Sequence, residues 1–380
     1  MPHRYNVIIA GGGVIGASIA WRLARNHLRV LLLDAAKIGS EASSAAAGML
    51  APGGEFDHPS PMLDFAISSL AKYDDFVDAL HADGGLPIEL RHTGAVQIAL
   101  DNAELELLTE RAALQRAAGI PSAVLTPDEL RALVPLVRPS AVGAIHYPNE
   151  ATVDPAGLMT ALRAACLARG VTIEEESRVI SVAADHAGTR LSLADRTIDA
   201  PFAVLSAGAW SGGIAVTIDD QPHSLPRSFP IKGHLLGYRL PAGSLAATVR
   251  QHHTYILQRA DGFTIAGSST EDAGFDRTID PQIVSDIAAR AGALVPALAS
   301  LDPELIWIGF RPATSAAAPH IGRVQSSRIW IAYGHYRNGI LLAPATCDRV
   351  CKQISAALQP TDPRASSTPG DDRKSCPHAG

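Results

Sequence analysis

Cysteine is scarce in this chain, with four in 380 residues at Cys166, Cys347, Cys351 and Cys376. So few and so scattered, they exclude a disulfide framework, and no C-x-x-C pair occurs to hold zinc or act as a redox dithiol. Cys347 and Cys351 stand about one helical turn apart, but no histidine accompanies them, so they read as core or surface thiols and no metal site is expected. This usage points to a reducing, cytoplasmic compartment. A basic stripe is also missing: the net charge is −6 and the pI near 6.1, which argues against a nucleic-acid surface. No apolar run approaches the ~20 residues that span a bilayer, so no membrane partner is expected. The apolar start of the chain carries Asn6 and four glycines without a basic region and cleavage site, and reads as fold rather than address. No internal repeat stands out. These absences leave small molecules as the expected partners.

What is present starts at once. Tyr5 to Ala10 empties into Gly11-Gly12-Gly13-Val14-Ile15-Gly16, a G-x-G-x-x-G pattern between strand and helix. There the first glycine allows a tight turn, the second lets backbone approach a pyrophosphate, and the third lets helix and strand pack closely. The phosphates sit at the positive helix N-terminus. Ile15, Ile19 and Leu23 keep helical spacing, Val30 to Leu33 reads as a second buried strand, and Asp34 follows, eighteen positions after Gly16. An acid there is placed to accept hydrogen bonds from an adenosine ribose. Strand, turn, helix, strand and acid in this order favour a dinucleotide site over a glycine-rich surface turn.

At 380 residues, 47% of them hydrophobic, the chain is long for one core and rich enough to bury two. Small residues fill 39–49, where a ligand can lie against backbone and short hydroxyls; the alternative is a plain Ala-rich helix. Helical patterns continue to about Leu80 and recur at 101–118, 127–133 and 157–170, the last opened by Asp154 and Pro155. Residues 178–198 alternate like a short antiparallel meander. Ala203 to Gly208 is apolar on both faces, as in a central strand, and stops at a glycine turn. Residues 229–265 read as β-rich and 281–294 as a helix, which alternates poorly as β-α-β and indicates a second domain with an antiparallel sheet. Residues 329–333 form a buried-type strand, 334–339 a loop, and Ile340 opens a helix with Pro344 in its first turn. Residues 359–380, rich in Pro, Ser, Gly and charge, read as a disordered tail.

Several of these segments recur together in one family. The glycine pattern, Ser44 to Leu50, Ser206 to Ser211, Pro230-Ile231-Lys232-Gly233, Gly309-Phe310-Arg311-Pro312 and Gly334 to Thr346 stand in family order. In these segments the chain resembles the FAD-dependent D-amino-acid oxidase family, and most closely the glycine oxidases that serve thiamine biosynthesis. The likeness covers about residues 4–358. It implies an α/β fold: a Rossmann-like FAD-binding domain of the D-amino-acid oxidase and glutathione reductase type, with an α+β substrate domain on an antiparallel sheet. The division implied is 1–87, 147–225 and 306–358 for FAD, and 88–146 and 226–305 for substrate.

The resemblance also implies site residues. Gly11, Gly13, Val14, Ile15, Gly16, Asp34, Ser43, Ser44, Ala47, Gly48 and Met49 would bind FAD, with Val179 at its adenine end and Gly208 beside it. The segment His335, Tyr336, Arg337, Asn338, Gly339, Ile340 and Leu341 would line the flavin ring. Arg311 would bind the substrate carboxylate, with Arg337 and Tyr255 completing the pocket. An arginine suits the role independently of the family, because its planar fork matches a carboxylate and each charge-assisted hydrogen bond contributes about 1.5–3 kcal/mol. Tyr255, a phenol with an ordinary pKa near 10, is a poor base and a good hydrogen-bond donor. His335 has no carboxylate near it in sequence and reads as a loop or flavin contact. No side-chain base is expected, because hydride transfer from the substrate Cα to flavin N5 requires none.

None of the cysteines falls where the related sarcosine oxidases attach their flavin, so the FAD is expected to be non-covalent. The substrates implied are a small amino acid and oxygen, giving an oxo acid, ammonia and hydrogen peroxide, and the assembly implied is a homo-tetramer. Thr270 is placed by the resemblance where the closest relatives carry a pocket methionine, and 52–60 is a candidate lid. Two alternatives share parts of the pattern. One is an amino-acid or imino-acid dehydrogenase with a non-oxygen acceptor, including a glycine dehydrogenase component that makes cyanide; the other is a non-catalytic dinucleotide-binding protein.

Overall fold

The computed structural model describes residues 4–316 and 318–358; Cys376 and the tail expected at 359–380 lie outside the described residues. Its centre is a six-stranded sheet in the order 320–323, 329–333, 202–205, 7–10, 30–33 and 172–174. All neighbours run parallel except His320–Arg323 at the edge. Val7–Ala10, Val30–Leu33, Phe202–Leu205 and Ile329–Tyr333 are buried at every position. That is why these strands are continuous apolar runs rather than alternating ones: both faces of the sheet are covered.

On one face Val7, Ile9, Leu32 and Val204 pack against the helices Val14–Arg25, Pro155–Ala168 and Gly339–Leu358. On the other, Ile8, Leu31 and Leu205 meet Val182, Leu191 and Val216. These last three belong to a five-stranded sheet that contains the expected antiparallel meander, its first strand starting at Ser181. Asp154 caps Pro155–Ala168 through its carboxylate, which accepts from Ala156 N and Gly157 N.

A second, eight-stranded sheet has the order 305–314, 228–239, 263–267, 254–258, 248–251, 95–99, 143–147 and 123–125. It is antiparallel except where Thr248–Gln251 pairs with Ala95–Ala99. Period-two alternation divides its two faces. Leu236, Ile256 and Ala266 pack beneath the helix Pro281–Leu294, while Leu235, Tyr255, Leu257 and Ile265 turn toward Ala47 and Met49. Apart from Leu305, the edge strand Leu305–Thr314 lies in the stretch the sequence division gives to the FAD segment. Its hydrogen bonds nevertheless run along Ser228–Arg239, with Ile231 opposite Arg311.

The C-terminal helix Gly339–Leu358 corrects one expectation: Pro344 is not in its first turn but in the second. A proline there lacks the N–H that would bond the carbonyl four residues back. Two side chains compensate. Tyr73 Oη donates to Ile340 O at 2.9 Å, and Ser69 Oγ donates to Leu341 O at 2.7 Å while accepting from Ala345 N at 3.2 Å. Tyr73 and Ser69 come from the helices Tyr73–Gly84 and Pro61–Leu70, so the break is held from outside the helix.

Candidate active site

A cavity of about 680 Å³ runs between the two large sheets, a size typical of small-molecule and cofactor sites. One end lies at the carboxyl edge of the central strands. Gly11 takes φ +106°, and a Cβ on it would meet Ser206 O at 2.4 Å; a Cβ on Gly16 would meet Gly11 O at 1.9 Å. Only glycine permits this approach of helix to strand. Gly13, without a side chain to cap the following helix, leaves its first amides facing the cavity, where Val14 N donates to Ser43 Oγ at 2.9 Å.

Asp34 closes the strand Val30–Leu33 and faces the same space. Its carboxylate accepts from Gly12 N at 2.6 Å and Ala36 N at 2.8 Å. A carboxylate offers about four lone-pair sites, so acceptor capacity remains for a hydroxyl pair. Burial lifts its pKa above the ordinary value, against the pull of those two amides. Val179 lines this end, and Gly208 lines the cavity beside the sheet.

Along the middle, Ala47, Gly48 and Met49 face the cavity from one side and residues 335–340 from the other. The loop 334–338 is pinned: Tyr336 N donates to Pro312 O at 2.9 Å and Asn338 N to His335 O at 2.9 Å. His335 is buried, and its Nε2 lies 3.0 Å from Thr346 Oγ1. Burial pushes its pKa down to about 3, so the ring is neutral near pH 7 and holds the loop to the helix.

The far end is cationic. Arg311 donates through Nη1 to Ser269 O at 3.0 Å and Lys232 O at 3.3 Å, and through Nη2 to Ser268 Oγ at 2.9 Å. A Cβ at Gly233 would lie 2.3 Å from both Nη atoms, so the missing side chain makes room for the guanidinium. Among the described residues no carboxylate reaches ion-pair distance of Arg311. Burial lowers its pKa from the ordinary value, helped by the like charge of Arg337 and opposed by Tyr255. Arg337 pairs with Glu55, Nη2 to Oε1 at 3.2 Å. Burial opposes its charge, yet Glu55 and the neighbouring phenols raise its pKa overall. Burial also raises the Tyr255 phenol, with Arg311 and Arg337 pulling it down, so Tyr255 remains a donor at neutral pH.

The cavity thus gathers sequence-predicted residues from eight separate stretches of chain: 11–15, Asp34, 43–49, Val179, Gly208, Tyr255, Arg311 and 335–340. Three do not line it. Gly16 packs against Gly11 O, Ser44 is exposed, and Leu341 is buried in the helical core. Thr270, expected beside the substrate, is exposed instead. Glu271 N and O pair with Lys232, which leaves Thr270 at the outer bend and turns Ser268 into the cavity. Within 52–60, the short helix Pro52–Glu55 is tied down: Gly53 O accepts from Arg111 and Gln115, and Gly54 N donates to Glu150. Glu55 is a site residue that sequence reasoning missed. Its only signal was an acid after Pro52-Gly53-Gly54, and its partner stands 282 positions away.

The sequence matches the family model described as FAD dependent oxidoreductase over residues 6–353. The chain belongs to this family. It is 33% identical to a glycine oxidase of Geobacillus kaustophilus over 350 residues, covering 91% of this chain and 92% of that protein. A glycine oxidase of Bacillus licheniformis is 30% identical over 355 residues, covering 93% and 94%. The crystal structure of the Geobacillus kaustophilus glycine oxidase superposes with a TM-score of 0.87 at 30% identity, covering 95% of this chain and 97% of that one.

The fold expected from the resemblance is therefore the fold observed, and the protein is an FAD-dependent oxidoreductase. The residues fit that cofactor. The open helix N-terminus at Gly13 suits a pyrophosphate, the spare acceptors of Asp34 suit a ribose, and the N-terminus of Gly339–Leu358 borders the cavity opposite Ala47. Among the described residues, no group of His, Cys, Asp and Glu could hold a metal, and no helix is long and apolar enough to cross a membrane.

Proposed function

We propose that the protein oxidises glycine or another small amino acid. The balanced reaction is glycine, O₂ and water to glyoxylate, ammonia and hydrogen peroxide. Bound FAD supplies the two-electron acceptor for the substrate C–H bond. The residues of the chain orient the amino acid and set charge around it. Arg311 and Tyr255 hold the carboxylate, Arg337 adds positive potential, and Glu55 restrains Arg337. No group among them is poised as a base at Cα: Tyr255 keeps its proton and Arg311 and Arg337 are cations. The amine therefore enters as the neutral form and gives its proton to water.

The single observation carrying this reading is Arg311. A guanidinium at the end of a cofactor-sized cavity, satisfied by neutral oxygens on its protein side and lacking a carboxylate, is shaped for an anionic ligand. The likeness to glycine oxidases supports glycine as the amino acid, and extends the reading to supplying the glycine-derived imine for thiamine thiazole synthesis. Peroxide release from glycine, sarcosine, D-alanine and D-proline tests it, with a quinone and a dye as alternative acceptors. Glycine turnover with stoichiometric peroxide supports an oxidase. Turnover only with the added acceptors replaces oxygen, and inactivity on all four amines removes the assignment.

A further inference from the structure

Behind Arg311, on the side of the sheet away from the cavity, lies a cluster of titratable side chains. Gly233 and Leu235 line the cavity, and alternation along the strand Ser228–Arg239 turns Lys232 and His234 to the opposite face, where both are buried. Glu271 joins them there. His234 Nδ1 lies 2.8 Å from Glu271 Oε1, and Nε2 accepts from Asp280 N at 3.1 Å. A ring nitrogen that accepts carries no proton, so Nδ1 is the donor and Glu271 the acceptor. Ser269 Oγ donates to the same carboxylate oxygen and accepts from His234 N at 2.8 Å. Lys232 Nζ donates to Thr278 O and to Asp276 at 3.2 Å, with Glu271 at 3.9 Å.

These contacts converge on two carbonyls. Arg311 Nη1 donates to Lys232 O and Ser269 O. The first is held by the backbone of Glu271, whose N donates to Lys232 O at 3.0 Å while its O accepts from Lys232 N at 2.9 Å. The second belongs to the residue whose hydroxyl is clasped between the Glu271 carboxylate and His234 N. The pairing of Ile231 with Arg311 fixes where the arginine side chain starts, not where its fork points. A binding group has to stand within about 0.5 Å and 10–20° of its productive geometry, which its supporting partners enforce. None of Glu271, His234 and Ser269 lines the cavity, so any effect they have on a bound carboxylate travels through the residues they hold.

We propose that Glu271, supported by His234 and acting through Ser269, is the positioning residue for Arg311. It fixes the two carbonyls that aim the guanidinium, and so sets the affinity for the substrate carboxylate without touching it. This rests on Arg311 being the carboxylate site.

The test titrates acetate into the holoprotein and takes its dissociation constant from the difference spectrum of the bound flavin. Glu271→Gln should weaken acetate about tenfold with the FAD spectrum retained, and Ser269→Ala should do the same. Ser269→Thr keeps the hydroxyl and should stay within about twofold of the native protein. Arg311→Lys keeps a charge for acetate and loses the fork that the carbonyls aim, so adding Glu271→Gln to it should change the affinity by less than about twofold. Native affinity in Glu271→Gln and Ser269→Ala overturns the proposal. So do equal losses in Ser269→Ala and Ser269→Thr, or a tenfold loss from Glu271→Gln that persists beside Arg311→Lys. If Glu271→Gln does not fold, the two Ser269 variants decide. Acetate affinity unchanged in Arg311→Ala would overturn the carboxylate site along with the proposal, whereas a loss in Arg311→Ala without one in Glu271→Gln and Ser269→Ala overturns the positioning role alone.

Discussion

Arg311 is the residue on which substrate capture turns. Arg311→Ala removes at least two charge-assisted hydrogen bonds, each contributing about 1.5–3 kcal/mol, so KM for the amino acid should rise by about 100-fold or more. The visible spectrum of bound FAD should be retained, since Arg311 touches the other end of the cavity; an unchanged KM would remove it from the site. His335 makes a different prediction. Its folded pKa lies near 3, below the ordinary value of about 6.5, because burial disfavours the cation. Between those values the unfolded chain binds the extra proton, so stability falls as pH drops from about 6.5 toward 3, by up to about 1.4 kcal/mol per unit. His335→Gln should flatten that part of the stability profile, measured by denaturant unfolding at pH 7, 6, 5 and 4. Arg311, Asp34 and the glycines were legible in the sequence because each belongs to a short contiguous motif. Glu55 and Ser268 were not, since each gains its role from a partner or a wall that only the folded chain brings near.

At the scale of elements, the C-terminal helix shows a local rule overridden by tertiary contacts. Its strand-loop-helix pattern was readable, with Pro344 expected in the first turn, where a proline leaves no helical hydrogen bond unmade. The structure keeps the helix continuous because Tyr73 and Ser69 serve the groups the proline leaves open. Tyr73→Phe leaves the buried Ile340 carbonyl without that donor and should cost about 1–3 kcal/mol, as should Ser69→Ala. Urea unfolding of the two single variants and the double variant measures this. Because the N-terminus of this helix borders the cofactor cavity, FAD affinity should weaken in the same order as stability. Equal FAD affinity in all variants would show that the Pro344 region is held independently of the cavity. The edge strand Leu305–Thr314 illustrates the opposite limit. The sequence reading gave it only the motif Gly309-Phe310-Arg311-Pro312, and nothing local says that its partner is Ser228–Arg239.

The whole molecule is a central sheet layered between helices and a meander, with a second sheet closing over its carboxyl edge. The first layer was legible because parallel strands buried on both faces write long apolar runs into the sequence. The join of Thr248–Gln251 to Ala95–Ala99, which completes the eight-stranded sheet, was not, because 153 positions separate Thr248 from its partner Ala95 and pairing at that distance leaves no local signature. Between the layers lies the cavity, and its two ends state the central claim: a dinucleotide at Asp34 and an amino-acid carboxylate at Arg311. The most direct measurement is the visible spectrum of the purified holoprotein under anaerobic glycine, followed by admission of air. The account predicts a yellow protein that bleaches with glycine and regains its colour as peroxide appears. A protein that takes up no FAD, or whose bound FAD stays oxidised with glycine and with the other small amino acids, would contradict it.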